Sequence, residues 1–397
     1  MPRFPRSSPF VQQLSDRVFS QLAERANSQP GPVYPLHVGD TYLEPLDAAK
    51  AENQASADHP GLHKYAPVQG EPELLKAIAD KVERRSGVRP KLDDLQVMPG
   101  ATAGLMVVCS ALLVPGDEVL LPAPFWPLIR GIIRARGALP IEVPVFDRLG
   151  AQGLEQGSDP SFDPAEALEA HITDRTVAVY VNTPNNPTGA CLTSEQLESI
   201  GELARKYDLW ILADEVYEDL YFGPTAPRSS FTLPAFADRT ITSHSLSKAY
   251  ALAGARVGYT HGPHEVMQVI RGTQTFSTYC APRPMQFAGA RALADGDAWL
   301  SRTRKLYASA AKEAADALRL PTPPAGTFLF FPSKPYRRAG ESTIELLERC
   351  LEAGVMLTPG SASGSEYSDW IRLCFTCVAP ADLTAALERV AGVLLES

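Results

Sequence analysis

Between residues 95 and 245 the chain repeats short runs that are apolar at nearly every position, among them "DEVLLPAP", "TVAVYVNTPNNPTG", "LWILADEVY" and "RTITSHS". A strand that alternates polar and apolar residues shows one face to water, whereas a continuous apolar run needs cover on both faces. From about residue 70 onward these runs alternate with helical patterns. "PELLKAIADKVERR" sets Leu74, Leu75, Ile78 and Val82 on one helical face. "LQVMPGATAGLMVVCSALL" reads as strand, glycine turn and apolar helix, and "LTSEQLESIGELARKYD" as an amphipathic helix opened by Thr193 or Ser194. Strands covered on both faces and separated by helices predict an α/β fold, a mostly parallel sheet covered by helices.

The C-terminal third changes character. A long helical stretch, "WLSRTRKLYASAAKEAADALRL", leads to "PTPPAGTFLFFP" and a final helix, which predicts a smaller α+β domain. The expected division is an N-terminal arm over 1–45 that packs with the small domain, a large domain over 46–290 and the small domain over 291–397. "EQGSDPSFDP", residues 155–164, reads as a surface loop.

In open parallel sheets ligands bind beyond the carboxyl ends of the strands. The polar residues Asn186, Asp214 and Ser245 follow "VAVYV", "WILA" and "TITSH", where that rule would put a site. Charge narrows the ligand. A formal net charge of −9 over 397 residues argues against nucleic acid, whose phosphates need a basic surface. The N-terminal "MPRFPRSSPFVQQL" has no apolar signal region, and "LMVVCSALLV" is far shorter than the roughly 20 residues that span a bilayer. A cytoplasmic protein without a membrane partner is expected. Of six cysteines only Cys374 and Cys377 form a CxxC, inside the strand-like "WIRLCFTCV". A zinc site would need a second pair or nearby histidines, so the reading is reduced, packed thiols and no metal.

"SHSLSKAYALAGARVGY", residues 243–259, holds two cations, Lys248 and Arg256, among hydroxyls and small residues. A lysine in a dry pocket near other positive charge can add to an aldehyde and form a Schiff base. The aldehyde cofactor that uses this chemistry is pyridoxal 5′-phosphate, which also needs an acid at its ring nitrogen and an anchor for its phosphate. Ser245, Ser247 and Arg256 supply hydroxyls and a guanidinium. Gly100, Ala101 and Thr102 of "PGATAG" open a helix whose backbone N–H groups can approach an anion.

With these residues in view the chain resembles the class I/II pyridoxal-phosphate aminotransferases, the aspartate aminotransferase superfamily of fold type I. "NNPTG", "ADEVY", "SLSKAYALAGARVGY" and "WIRLCF" follow in that family's order, from about residue 35 to the C-terminus. The resemblance implies that Lys248 is the Schiff-base lysine and then the acid/base that moves the substrate proton. It implies that Asp214 pairs with the ring nitrogen, and that Tyr217 and Asn186 hydrogen-bond the phenolic oxygen. Trp126 of "APFWP" would stack on the ring, with Phe125 as the alternative. Gly39 of "LHVGD" and Arg372, with Asn186, would meet the substrate, the arginine holding its α-carboxylate. Tyr65 of "HKYAPVQG" would reach the phosphate of a neighbouring subunit, which requires a homodimer; a packing tyrosine is the competing reading.

The implied activity is an aminotransferase that exchanges an amino group between an L-amino acid and a 2-oxo acid. The chain departs from the family at its N-terminal site segment, which reads "GDTYLEP" where many relatives read roughly "GEPD". "GTQTFSTYC", residues 272–280, lacks the arginine that dicarboxylate-specific relatives often carry ahead of the partner-facing segment. The first departure leaves the side-chain specificity open, and the second leans away from aspartate and toward neutral or aromatic side chains. A lyase or cyclase of the same fold, such as a C–S β-lyase, is the alternative; a non-catalytic sensor is more remote, because no basic DNA-binding region precedes the pattern.

Overall fold

The apolar runs pair into one seven-stranded sheet. In the computed structural model, which describes residues 7–395 apart from 13, 15–21, 27–28, 55–58, 150–161 and 234–235, its strands are β1 (Leu95–Met98), β2 (Glu118–Ala123), β3 (Leu139–Pro144), β4 (Thr176–Asn182), β5 (Trp210–Asp214), β6 (Thr240–Ser245) and β7 (Gly258–His261). They lie in the order β1-β7-β6-β5-β4-β2-β3. The β3–β2–β4–β5–β6 pairs are parallel, and β7 runs antiparallel to both β6 and β1. All six residues of β2 are buried, as a strand covered on both faces requires.

The cover comes from helices. α1 (Pro72–Ser86), α2 (Ala101–Leu112), α3 (Pro127–Arg134), α4 (Ser194–Lys206), α5 (His264–Ser277) and α6 (Arg283–Asp295) flank the large sheet. On one face Val108 of α2 and Ile129 and Ile133 of α3 pack with Leu121, Tyr180 and Leu212. On another, Leu197, Ile200 and Ala204 of α4 meet Val179 and Ile211. Burying each such side chain is worth about 1.5–3 kcal/mol. Thr193 rather than Ser194 caps α4, through a reciprocal box with Gln196, an arrangement worth about 1 kcal/mol.

The C-terminal part holds α7 (Asp297–Leu318), β8 (Phe328–Pro332), α8 (Thr343–Glu352), β9 (Thr358–Pro359), β10 (Trp370–Cys374) and α9 (Pro380–Leu395). Its sheet is three-stranded and antiparallel, in the order β8-β10-β9. Leu346, Leu347, Ile371, Leu373 and Val390 share a core with Leu36, so the N-terminal segment is stitched to this part of the chain. Of the loop expected over 155–164, residues 155–161 lie outside the described residues. Asp163 is no free loop residue: it accepts the Ala165 N–H and caps a short helix, Pro164–Glu169. No described helix is long and apolar enough to cross a membrane.

Candidate active site

Register aligns the ends of three central strands. Asn182 at the end of β4 pairs with Asp214 at the end of β5, and Asp214 pairs with Ser243 on β6. Beyond these ends lies a cavity of about 430 Å³. Ala101, Thr102, Trp126, Asn186, Asp214, Tyr217, Ser245, Ser247, Lys248, Arg256, Gly39 and Arg372, all expected from the sequence, line it.

Two expected residues stand elsewhere. Gly100 lies behind the wall, at φ +84°, where a Cβ would come 2.4 Å from Nη2 of Arg256. Only glycine leaves that guanidinium its place at the start of α2. Tyr65 is 82% exposed and edges onto Tyr279 at 5.0 Å, so it serves no part of the cavity of its own chain. Phe125 is fully buried with Arg130 over its ring, so of these two neighbours it is Trp126 that lines the cavity.

Lys248 is half-buried, and its Nζ donates to the carbonyl of Gly39. Burial lowers its pKa from the ordinary lysine value, with the charges of Arg256 and Arg372 acting in the same sense against Asp40 and Cys374. A depressed lysine pKa enlarges the neutral, nucleophilic fraction. Asp214 is buried, and burial raises its carboxyl to about 6 against the opposing hydrogen bonds of Tyr180 and Val216. Around it the Tyr180 hydroxyl donates to Oδ2 at 2.6 Å, the Val216 N–H to Oδ1 at 3.3 Å and the Asn182 amide to its carbonyl at 2.9 Å. The Asn186 amide donates to the Tyr217 hydroxyl at 3.2 Å, bringing together the two groups expected at one oxygen.

Arg372 is buried on β10. It donates to Oδ1 of Asn186 at 3.3 Å and to the His37 carbonyl at 3.1 Å, and lies 4.3 Å over the Phe328 ring. A Cβ on Gly39 would come 2.6 Å from that ring, so glycine is what lets residues 37–40 approach the guanidinium. Burial, with Arg372 adding to it, pushes His37 down to about 4, leaving it neutral.

Tyr180, Asn182, His37 and Phe328 were not singled out from sequence. Asn182 ends its strand as Asp214 does and could have been found by the same rule. Tyr180 reads as an apolar strand residue, and only the register brings its hydroxyl to Asp214. Behind the site, Glu218 is held by Lys81 (2.5 Å), Arg85 (2.8 Å) and His244 (2.9 Å), so the turn that carries Tyr217 is pinned from α1 and β6. Glu215, Glu218 and His244 are spaced for a metal, but Glu218 already pairs with Lys81 and Arg85, and Glu215 accepts from the Ser229 hydroxyl and the Ser230 N–H.

Tyr180→Phe removes a donor that favours the Asp214 anion. Hydrogen bonds to charged groups are worth about 1.5–3 kcal/mol, so its carboxyl should titrate roughly one to two units higher. Carboxyl ¹³C NMR of the apoprotein across pH checks this; an unmoved Asp214 midpoint would show that the bond does not tune it.

A parallel-sheet domain with a buried acid, a lysine and two arginines around one cavity beyond its strand ends is an arrangement for a charged small molecule. The family model described as aminotransferase class I and II matches residues 32–390. The aspartate aminotransferase of Pyrococcus abyssi is 31% identical over 91% of this chain and 89% of its own. Aromatic-amino-acid aminotransferase 2 of Thermococcus litoralis is 32% identical over 91% of both. Among solved structures, a double mutant of Thermus thermophilus aspartate aminotransferase matches with TM-score 0.87 and 29% identity, over 98% of this chain and 100% of that one. The chain belongs to the aminotransferase class I and II family, and it is a transaminase.

Proposed function

We propose that the chain is a pyridoxal-phosphate aminotransferase that works through Lys248 on a neutral or aromatic L-amino acid and a 2-oxo acid, as a homodimer in the cytoplasm. The observation that carries the reading is the convergence of Lys248, Asp214, Arg256 and Arg372 on one cavity. The fit to the cofactor rests on two features: the glycine-cleared guanidinium of Arg256 at the start of α2, and the buried Asp214 at the end of β5. Arg256, Ser245, Ser247, Ala101 and Thr102 would hold the phosphate, Trp126 the ring face, and Asn186 with Tyr217 the phenolic oxygen. When bound, pyridoxal phosphate supplies an aldehyde for the amino group and a ring that accepts electrons.

The residues do the rest. Lys248 would hold the aldehyde carbon through its amine, then carry the substrate proton between Cα and that carbon, across the nitrogen that joins them. Asp214 would keep the ring nitrogen positive. Arg372 would align the α-carboxylate, with the Gly39 backbone beside it. Among the described residues, the full cations that line the cavity are Lys248, Arg256 and Arg372, so each has a duty and none is left for a second carboxylate. Val38, Leu105, Leu128 and Trp126 supply apolar wall. This supports the neutral or aromatic preference.

An amino acid added alone should release one equivalent of 2-oxo acid per site and leave the cofactor in its amine form. Repeated turnover with ammonia release would mark a lyase instead.

Arg372→Ala should raise KM for both substrates roughly 100-fold, since a bidentate charged hydrogen bond is lost, and Arg372→Lys should recover only part. Steady-state kinetics in both directions check this, with cofactor affinity unchanged. The dimer reading is supported by exposed Tyr65, Phe276 (94%) and Tyr279 (43%), apolar surface that a monomer leaves in water. Sedimentation should give a dimer. Tyr65→Phe should weaken cofactor retention without moving KM; a fully active monomer would refute the shared site.

A further inference from the structure

The CxxC sits against the segment that feeds carbonyls to two of the active-site cations, Arg372 and Lys248. The N–H of Cys374 donates to the Leu36 carbonyl at 2.8 Å, and the Tyr42 N–H donates to the Thr376 carbonyl at 2.9 Å. The Thr376 hydroxyl donates to the Asp40 carbonyl at 2.7 Å. The thiols complete the clasp: Sγ of Cys374 lies 3.8 Å from the Asp40 carbonyl, and Sγ of Cys377 lies 3.5 Å from the Pro35 carbonyl and 3.6 Å from that of Cys374. Residues 35–42 are therefore held by 374–377 at both ends. Within them the His37 carbonyl accepts from Arg372 and the Gly39 carbonyl from Lys248.

The two sulfurs differ in access. Cys374 is fully buried at the end of β10, two residues after Arg372, while Cys377 is half-buried in the following turn. All six cysteines are free thiols. Burial opposes ionisation of Cys374. The Cys377 S–H, the hydroxyl and N–H of Thr376 and the charge of Arg372 outweigh it and bring the Cys374 thiol to about 6. Hydrogen bonding to Cys374 raises Cys377 in turn. The proton the two thiols compete for thus rests on Cys377.

We propose that Cys374 and Cys377 form a thiol–disulfide modification site, oxidised by a small-molecule disulfide, which loosens the substrate-carboxylate clamp. The Cys377 sulfur, passing its proton to the Cys374 thiolate, attacks one sulfur of the small disulfide, forming a mixed disulfide and expelling one thiolate. Cys374 thiolate then attacks the Cys377 sulfur, closing the internal disulfide and expelling the second. Two cysteines lose two electrons, one small disulfide becomes two thiols, and the cysteine protons end on those thiols. Closure removes both S–H contacts with residues 35–40. It also draws the sulfurs to about 2.05 Å, which pulls on the end of the strand that carries Arg372.

The effect on substrate rests on the carboxylate reading of Arg372; the disulfide itself does not. The experiment equilibrates the cofactor-loaded enzyme with oxidised glutathione, maps thiols by mass spectrometry and measures KM for the amino acid and the 2-oxo acid. Expected are a 2 Da loss confined to the peptide that contains Cys374 and Cys377, and a rise in both KM values of roughly three- to tenfold, on the order of 1 kcal/mol. Dithiothreitol should reverse both changes. Cys377→Ser, which keeps a donor for the Pro35 carbonyl, should keep the reduced enzyme's KM and lose the response, and Cys377→Ala should lose the response too. A glutathione adduct on Cys377 without closure, or a KM response that survives in both variants, overturns the site. Closure with unchanged KM overturns the coupling if Arg372→Lys raises KM; if Arg372→Lys is silent too, the carboxylate reading has failed instead.

Discussion

Lys248→Ala should abolish transamination, with kcat falling by about 10⁴-fold or more. Loss of a positioned acid/base alone is worth roughly 10²- to 10⁴-fold, and the same side chain would also serve as the covalent anchor. Cofactor binding should survive, weakened, because Arg256, Ser245, Ser247 and the start of α2 remain in place. Borohydride treatment of the wild-type enzyme should fix the cofactor to the peptide that contains Lys248, and in Lys248→Ala the label should vanish. A label on another lysine would overturn the assignment. Added methylamine should restore part of the rate, because a small amine can enter the vacated space and carry the proton. The local structure fits this double use: the amine donates to a backbone carbonyl, that of Gly39, rather than to a carboxylate that would hold it charged.

The large sheet was legible because its strands are apolar throughout: "WILA" and "VAVYV" can only be buried, and the polar residue that ends each run marks the edge of the core. That logic marks Asp214, which ends β5. The residues around it were less legible. Tyr180 is one of several large residues in β4, and nothing local tells a packing phenol from one that donates to an acid a strand away. The clasp of residues 35–42 by 374–377 was invisible for a related reason. Its contacts join positions more than 330 apart in the chain through backbone carbonyls, which carry no side-chain signature. Tyr65 was recognisable by its neighbours in sequence, while within one chain it is exposed and edges onto Tyr279.

Asp214→Asn should lower kcat by about 10²-fold or more, the scale of a lost preorganised charge at a reacting centre, while KM for either substrate stays within a few-fold. The same substitution should stabilise the apoprotein, with a definite pH signature. The carboxyl titrates at 3.8 ordinarily and at about 6 when buried here, burial being the dominant cause. Between those values the unfolded chain has lost the proton and the folded chain keeps it. Folding is therefore progressively disfavoured as pH rises through that window, and the cost is constant above it. A gap of about two units corresponds to about 3 kcal/mol. Asn carries no such charge, so denaturant unfolding of the apoproteins should show Asp214→Asn more stable by up to about 3 kcal/mol at pH 8, with the difference closing toward pH 4. Equal stabilities at pH 8 would show that the carboxylate is already neutralised within the apoprotein. The buried anion is costly despite the Tyr180 and Val216 donors, and a positive ring nitrogen opposite it would offset that cost, so cofactor binding would relieve it.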